Sequence, residues 1–366
     1  MTREFGSRLF VIPNLVRDLG FGFRMWVLKP RPVAGELHPE LIKRAGALES
    51  CKVSPRFRRG KVLTPAQFGC LSGIPTLNIT AGCIFQCTYC YARGYRQAPP
   101  QGEIHLYVNL PNLLKKELSG KKVAPRWVIL NTSSDCFQTH PDILDVTHEV
   151  IQILLNGGIG ISFLTKGSIP HRFFSLFKRS PDKIFAQMGV VSFSERYWRE
   201  YEPGTPSPEE RLENVQRLKE IGIVPEVRID PIIPFVTDTE IGAAALFGQL
   251  KEVGVKRVTL SYLHLRPAIE RQLMKELSPL HRKMIESCFG IQEWKAIGSS
   301  SKTKLLPKTV REKGYQRMKG IAERFGITAS VCQCKNPDLN GDLCGSGRVR
   351  AVLGERAPIQ LPLFRC

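Results

Sequence analysis

The stretch Ala81-Gly82-Cys83-Ile84-Phe85-Gln86-Cys87-Thr88-Tyr89-Cys90 places three cysteines at a C-x3-C-x2-C spacing, with an aromatic residue directly before the third. A four-iron cube normally takes one protein thiolate per iron. Three thiolates from one short loop therefore leave one iron open to a substrate or cofactor, as the open position of a catalytic zinc is. The competing reading is half of a zinc site, which is built from cysteine pairs with a second pair nearby. The nearest residues that could complete one are Cys70, His105 and Cys136, and none has pair spacing. The spacing favours a [4Fe–4S] cluster on Cys83, Cys87 and Cys90.

With 366 residues the chain is long enough for one large domain or two ordinary ones. A hydrophobic content of 42% and a charged content of 23% are ordinary for a soluble globular protein. The formal net charge of +20 points to an anionic partner such as nucleic acid. A basic solvated surface without a specific partner would carry the same excess, since charge alone has no specificity. Eleven cysteines, an odd total that includes the clustered three, argue against a secreted disulfide scaffold. Met1-Thr2-Arg3-Glu4-Phe5 lacks the pattern of a signal peptide. No apolar run approaches the ~20 residues that cross a bilayer. The expectation is a reducing cytoplasm and no membrane partner; the sequence leaves the oligomeric state open.

Residues 1–70 read as a basic N-terminal extension rich in Arg, Pro and Gly, with a patch at Arg56, Arg58, Arg59 and Lys61. Residues 75–80 alternate as a strand delivering the cysteine loop. Strands are expected at 127–130, 159–165, 184–191, 224–229 and 257–262, and helices at 141–155, 169–178, 208–221 and 239–253. The helix at 208 carries its own start signal: Ser207 to cap it, Pro208 in the first turn and Glu210 three residues after the cap. A regular βα repeat implies a parallel sheet. About six units span residues 71–266, short of the eight of a full barrel. From 267 to 366 the alternation weakens to a helix at 310–325 and a strand at 327–331, followed by a cysteine-containing tail.

Ligands of parallel βα folds meet the C-terminal ends of the strands. Polar residues expected there are Ser134 and Asp135, Lys166, Ser192, Arg228 and Asp230, and Tyr262, His264 and Arg266. Glu226, Arg228 and Asp230 share one strand face by alternation. Any one of these alone reads as a satisfied polar group in a loop; their convergence at strand ends reads as a site.

The cysteine loop resembles that of the radical S-adenosylmethionine (SAM) enzymes. Glu202-Pro203-Gly204-Thr205, with Arg211 downstream, is similar to the E-P-G-T…R signature of the spore photoproduct lyase and DNA repair photolyase-like family within them. Ser133-Ser134-Asp135, Thr165-Lys166, Val191-Ser192 and Asp230-Pro231-Ile232-Ile233-Pro234 extend the likeness over residues 75–265. The resemblance implies an α/β fold, a partial (β/α)6 barrel, with the N-terminal extension and a small cysteine-containing C-terminal region around it. It implies that Cys83, Cys87 and Cys90 hold the cluster, that the open iron chelates SAM, and that Tyr89 lies against the adenine. Ser134, Lys166 and Ser192 match positions that contact SAM, and Arg228 joins them as a strand-end candidate. Arg211 is expected to anchor the Glu202 loop. The family's hydrogen-donating cysteine has Thr132 in its place here, which puts spore photoproduct repair itself in doubt. Cys136, Tyr262 and His264 are the remaining catalytic candidates.

Cys332-Gln333-Cys334, with Cys344 and with Cys366 or Cys51 as the fourth ligand, suggests a second metal site holding either zinc or a second iron–sulfur cluster, or else a set of reduced structural thiols. The resulting expectation is a radical SAM enzyme acting on DNA or another nucleic acid, with electrons from a reductant such as flavodoxin or ferredoxin. A radical SAM enzyme acting on a peptide or small molecule is one alternative. A zinc-stabilised nucleic-acid-binding protein without enzymatic activity is the other.

Overall fold

Short apolar runs that end in polar residues, each followed by a capped helix, place the chain's chemistry along one edge of a sheet. The computed structural model describes residues 51–66, 71–297 and 300–341. The strands are β1 (Lys52–Arg56), β2 (Thr64–Pro65), β3 (Pro75–Leu77), β4 (Thr80–Ala81), β5 (Glu103–Tyr107), β6 (Trp127–Leu130) and β7 (Gly160–Thr165). They continue as β8 (Ile184–Gly189), β9 (Glu226–Ile232), β10 (Arg257–Tyr262), β11 (Lys295–Ile297), β12 (Ser300–Thr303) and β13 (Thr328–Val331). The helices are α1 (Leu110–Ser119), α2 (Pro141–Asn156), α3 (His171–Phe177), α4 (Glu195–Tyr201) and α5 (Pro208–Glu220). After them come α6 (Glu240–Glu252), α7 (Pro267–Glu276), α8 (Pro279–Phe289) and α9 (Lys308–Arg324).

The main sheet runs β13-β10-β9-β8-β7-β6-β3-β2. Neighbours from β3 to β13 are parallel, and β2 is antiparallel to β3. With its helices this is the expected mixed α/β architecture with a mostly parallel sheet, and it fits a partial (β/α) barrel. β7 is buried along almost its whole length, as a parallel strand covered on both faces must be. Helix α5 starts as the sequence dictates: Ser207 Oγ accepts from Glu210 N, and Glu210 returns a carboxylate oxygen to Ser207 N. No helix among the described residues is long and apolar enough to cross a membrane.

Two features depart from the sequence pattern. The alternating run 75–80 is not one strand. β3 stops at Leu77 because the Asn78 side chain accepts from Thr132 N at 2.9 Å and Ser133 N at 3.0 Å, ending the ladder on β6. The chain then turns, and β4 pairs with β5 in a separate three-stranded sheet, β1-β5-β4. The second departure lies beyond residue 266, where β13 extends the main sheet in register with β10 from Arg257↔Thr328 onward. The extension expected over 1–70 is described only at 51–66, which supplies β1 and β2.

Under β7 the core is aromatic. Phe163 is 1% exposed, with ring centroids 5.1 Å from Phe137 and 5.9 Å from Phe177. Phe163→Ala removes a ring from a packed interior and is expected to cost about 3–5 kcal/mol. Urea unfolding at fixed pH reads this as a lowered midpoint with an unchanged slope.

Candidate active site

The cysteine loop leaves β4 at Gly82, whose φ of +85° and surroundings require glycine: a Cβ there would stand 2.8 Å from Glu103 O. Side chains from two distant segments and from Arg93 just downstream then fix the loop. Gln138 Oε1 accepts from Ile84 N at 2.8 Å. Gln272 Nε2, from α7, donates to Thr88 O at 3.2 Å and Cys90 O at 3.1 Å. Arg93 Nη1 donates to Cys87 O at 3.2 Å while its guanidinium pairs with Glu276 of α7 at 2.5 Å. Neither glutamine stands out in the sequence, because the contacts are long-range.

The Glu-Pro-Gly-Thr turn is the loop's main support. Gly204 N donates to Phe85 O at 3.2 Å, and a Cβ on Gly204 would lie 2.7 Å from Ile84 O, so only glycine allows the two backbones to meet. Glu202 is 1% exposed. Its carboxylate receives the Tyr89 hydroxyl, the Tyr197 hydroxyl at 3.2 Å and Arg211 Nη1 at 2.5 Å. Burial works to raise the Glu202 pKa, but the Arg211 and Lys166 charges win and hold it low. Arg211, fully buried, also donates to Gly189 O at 3.0 Å, Pro206 O at 3.0 Å and Thr205 Oγ1. It anchors the turn, as expected.

A cavity of about 380 Å³ opens at the C-terminal ends of the parallel strands. Cys83, Cys87 and Cys90 border it on one side, and Ser134 and Lys166 border it at the ends of β6 and β7. Ser134 Oγ accepts from Asn131 Nδ2 at 2.8 Å and lies 2.9 Å from Thr80 Oγ1. Asp135 stiffens this corner, accepting from Lys166 N at 2.9 Å and Thr165 Oγ1 at 2.7 Å. Lys166 Nζ lies 5.6 Å from the Tyr89 ring centroid, and a Cβ at Gly189 would collide with the lysine stem at 2.8 Å. The ring of Tyr89 reaches the cavity while its hydroxyl is committed to Glu202.

The thiols suit a cube better than one ion. Zinc would draw each sulfur to ~2.3 Å from a single point. Among the described residues no three His, Cys, Asp or Glu side chains converge that way. A cube gives each thiolate its own iron, so its ligands spread around a common cavity, as Cys83, Cys87 and Cys90 do. Burial pushes the Cys87 thiol up to about 12, with Glu202 adding to the rise.

On the far wall, Arg228 donates to Asp230 Oδ2 at 2.8 Å, and Lys335 reaches the same carboxylate at 2.7 Å. Burial opposes the charged form of Asp230, but Lys335 and Arg228 hold its pKa below the ordinary carboxylate range. Glu226 shares their face but sits deeper, accepting from Thr259 Oγ1 at 2.8 Å. His264 borders the cavity, its Nε2 buried without a hydrogen-bond partner among the described residues. Burial, then the Lys335 charge, push its pKa down to about 3, so the imidazole is neutral at pH 7.

Three expected residues lie elsewhere. Cys136 is fully buried in the core and borders no part of the cavity, which does not support it as a hydrogen donor. Tyr262 points into the helical layer: its hydroxyl donates to Asp238 at 2.6 Å and its ring packs 5.0 Å from Tyr315 of α9. Tyr262 stands at the end of its strand, as expected, but as the last residue of β10 its side chain faces the helices and not the cavity. Ser192 lies just past β8, accepts from Ser194 N at 3.1 Å and does not border the cavity. Conversely, Cys332 and Cys334, read as part of a separate metal site, border this same cavity with their sulfurs 3.1 Å apart. Cys344 and Cys366 lie outside the described residues.

The family model described as Radical SAM superfamily matches residues 77–248. An uncharacterized protein of Mycobacterium tuberculosis is 28% identical over 220 residues, 57% of this chain and 64% of that protein. A radical SAM Nα-GlyT isomerase of Pseudomonas phage M6 is 24% identical over 256 residues, 68% of this chain and 51% of that protein. The chain thus spans less than two thirds of the length of these relatives. Among solved structures, a spore photoproduct lyase mutant with bound AdoMet and dinucleoside spore photoproduct superposes with a TM-score of 0.59 at 17% identity. That match covers 82% of this chain and 87% of the other.

Arg211→Met strands a buried carboxylate and is expected to cost about 3–5 kcal/mol, whereas Glu202→Gln with Arg211→Met loses less than the single change. Denaturant unfolding of both variants decides it; equal losses would place the stabilisation outside the ion pair. For His264, the unfolded chain takes its proton near ~6.5 and the folded chain only near about 3. Its contribution is complete above the unfolded pKa and falls as pH drops towards the folded one. His264→Asn is therefore expected to flatten the acid limb of a stability–pH curve.

Proposed function

We propose a reaction for this chain, an enzyme that carries a radical SAM domain over residues 77–248 on the fold of spore photoproduct lyase. The reaction is reductive cleavage of S-adenosylmethionine at a [4Fe–4S] cluster held by Cys83, Cys87 and Cys90, with hydrogen abstraction from a nucleic acid. The observation that carries it is the convergence of those three thiols with Lys166 and Ser134 on one cavity at the strand ends. What the bound cofactors supply is an electron and, from it, a 5′-deoxyadenosyl radical; the chain supplies placement and enclosure. Lys166 offers a flexible point charge suited to the SAM carboxylate. Gly189 leaves room for its stem, and Tyr89 lies under its ammonium. Ser134 adds a hydroxyl in a fixed orientation. Electrons come from an external reductant of the flavodoxin or ferredoxin kind.

The net charge of +20 supports a polyanionic substrate. Thr132 borders the cavity where the lyase family has its donor thiol, so the reaction is not spore photoproduct repair in that family's form. A second reading, rearrangement or modification of a peptide or small molecule, draws support from the likeness to the radical SAM Nα-GlyT isomerase of Pseudomonas phage M6.

Anaerobically reconstituted protein is expected to bind about four irons with matching sulfide, to absorb in the iron–sulfur band and to form 5′-deoxyadenosine from SAM and dithionite. Cys87→Ala should lose all three properties. Wild-type protein with neither the band nor the nucleoside would overturn the reaction. Duplex binding that weakens steeply with salt supports nucleic acid as the substrate, and salt-insensitive or absent binding supports the second reading.

A further inference from the structure

The second cysteine pair is built into the cavity wall. β13 carries its ladder one residue past Val331, with Cys332 N donating to Leu260 O at 3.1 Å. A single 3-10 turn over Gln333–Lys335 then brings the Cys334 sulfur to 3.1 Å from that of Cys332. The turn is held on several sides. Asn336 Nδ2 donates to Cys332 O at 2.9 Å, and Asn336 Oδ1 accepts from Arg311 at 3.0 Å and Tyr315 at 3.2 Å. Lys335 is tied to Asp230. Arg311 is tied to Asp338 at 2.5 Å. Cys332 is 1% exposed and Cys334 half-buried, and both face the space that Cys83, Cys87 and Cys90 face.

A carbon radical held in that space has to recover a hydrogen atom. The aliphatic hydroxyls that border it, Thr132, Ser133 and Ser134 among them, hold hydrogen in bonds too strong to give it up readily, and the two phenols there are committed, Tyr89 to Glu202 and Tyr91 to Thr132 O. Cys136 does not reach it. Among the described residues, the thiols on the cavity outside the C-x3-C-x2-C loop are Cys332 and Cys334.

We propose that Cys332 and Cys334 are a redox-active thiol pair that gives hydrogen to a radical formed in this cavity and closes to a disulfide. The role rests on the reaction proposed above. One S–H bond breaks homolytically and a C–H bond forms on the substrate, leaving a thiyl. The neighbouring thiol loses its proton and bonds to the thiyl sulfur. The surplus electron leaves to a one-electron acceptor of the iron–sulfur or flavin class. The sum is one substrate radical and two thiols giving one C–H product, one disulfide, one proton and one electron. A dithiol reductant reopens the pair by exchange. Enforced sulfur contact favours this closure, because little chain entropy remains to be lost.

Two experiments test it. In the first, cofactor-free protein is equilibrated with graded ratios of reduced to oxidised dithiothreitol, acid-quenched, alkylated and digested with trypsin. The peptide 325–335 is expected to pass from doubly alkylated to internally bridged, lighter by two hydrogens. Two alkylated thiols at every ratio, or thiols that react only after a chelator is added, would overturn the pair, the latter in favour of a bound metal. In the second, reconstituted enzyme is given SAM and dithionite in deuterium oxide without any other substrate. Wild type is expected to place solvent deuterium in the 5′-deoxyadenosine it forms. Cys332→Ser with Cys334→Ser, and Cys334→Ser alone at the half-buried position, should still form the nucleoside but lose most of that deuterium. Undiminished deuterium in variants that retain iron and melt with wild type would overturn the hydrogen-source role. No 5′-deoxyadenosine from wild type would overturn the reaction above and this role together, while the alkylation arm still judges the pair.

Discussion

Glu202 is a carboxylate sealed inside the protein, and the cysteine loop is organised around it. Isolated burial of such a charge is prohibitive, so its neighbours must supply a counter-charge and fill its lone pairs. Arg211 supplies the charge, while Tyr89 and Tyr197 supply hydroxyl donors. Because Arg211 also donates to Gly189 O at the end of β8, the carboxylate ties the barrel rim to Tyr89, which sits between two of the three cysteines. A buried ion pair gains little net stability over an apolar replacement of similar volume. What it contributes here is position: Tyr89 cannot rotate without taking a hydroxyl donor from a buried carboxylate, which holds the segment between Cys87 and Cys90 in place.

The same logic operates on the opposite wall. Asp230 takes both Arg228 and Lys335, joining β9 to the turn after β13. Two cations on one buried carboxylate hold it ionised and add rigidity where strands that are distant in sequence come together. The neutral His264 beside them fits this arrangement, since an imidazolium next to Lys335 and Arg266 would add unfavourable charge. Of the described cations bordering the cavity, Arg228 and Lys335 are spent on Asp230 and Arg93 on Glu276, whereas Lys166 and Arg266 rest over the rings of Tyr89 and Tyr91.

Local signals made most of the fold legible. The strands at 127–130 and 257–262 match the sequence reading residue for residue, because apolar runs bounded by polar residues in a βα alternation leave few other options. The cap of α5 was readable because Ser207, Pro208 and Glu210 act within one turn. The end of β3 was not, because it is set by the Asn78 amide reaching residues fifty positions away in sequence. The site divides in the same way. Cys83, Cys87, Cys90, Ser134 and Lys166 reach one cavity, and spacing or strand-end position was enough to find them. Tyr262 stands at the strand end where it was expected, but strand-end position alone does not say which face a side chain takes, and its hydroxyl goes to Asp238. Gln138, Gln272 and Lys335 were silent because their partners lie far along the chain.

The C-terminal cysteines bring out a consequence of the topology. Read along the chain they stand apart from the first motif, and a second metal site is the natural inference. The sheet removes that separation. β13 adds to β10, and a parallel strand delivers its C-terminal end to the rim where β6 to β10 deliver theirs. Residues just after β13 can therefore reach the same space as residues that follow β6 or β7, whatever their distance in sequence, and Cys332, Cys334 and Lys335 do. Cys332, at the first position after that strand, reaches the cavity for the reason Lys166 does after β7. The strand at 327–331 and the Cys332–Cys334 pair were both legible; what the weakened βα pattern beyond residue 266 hid was that this strand joins the main sheet and so carries the thiols to the cavity.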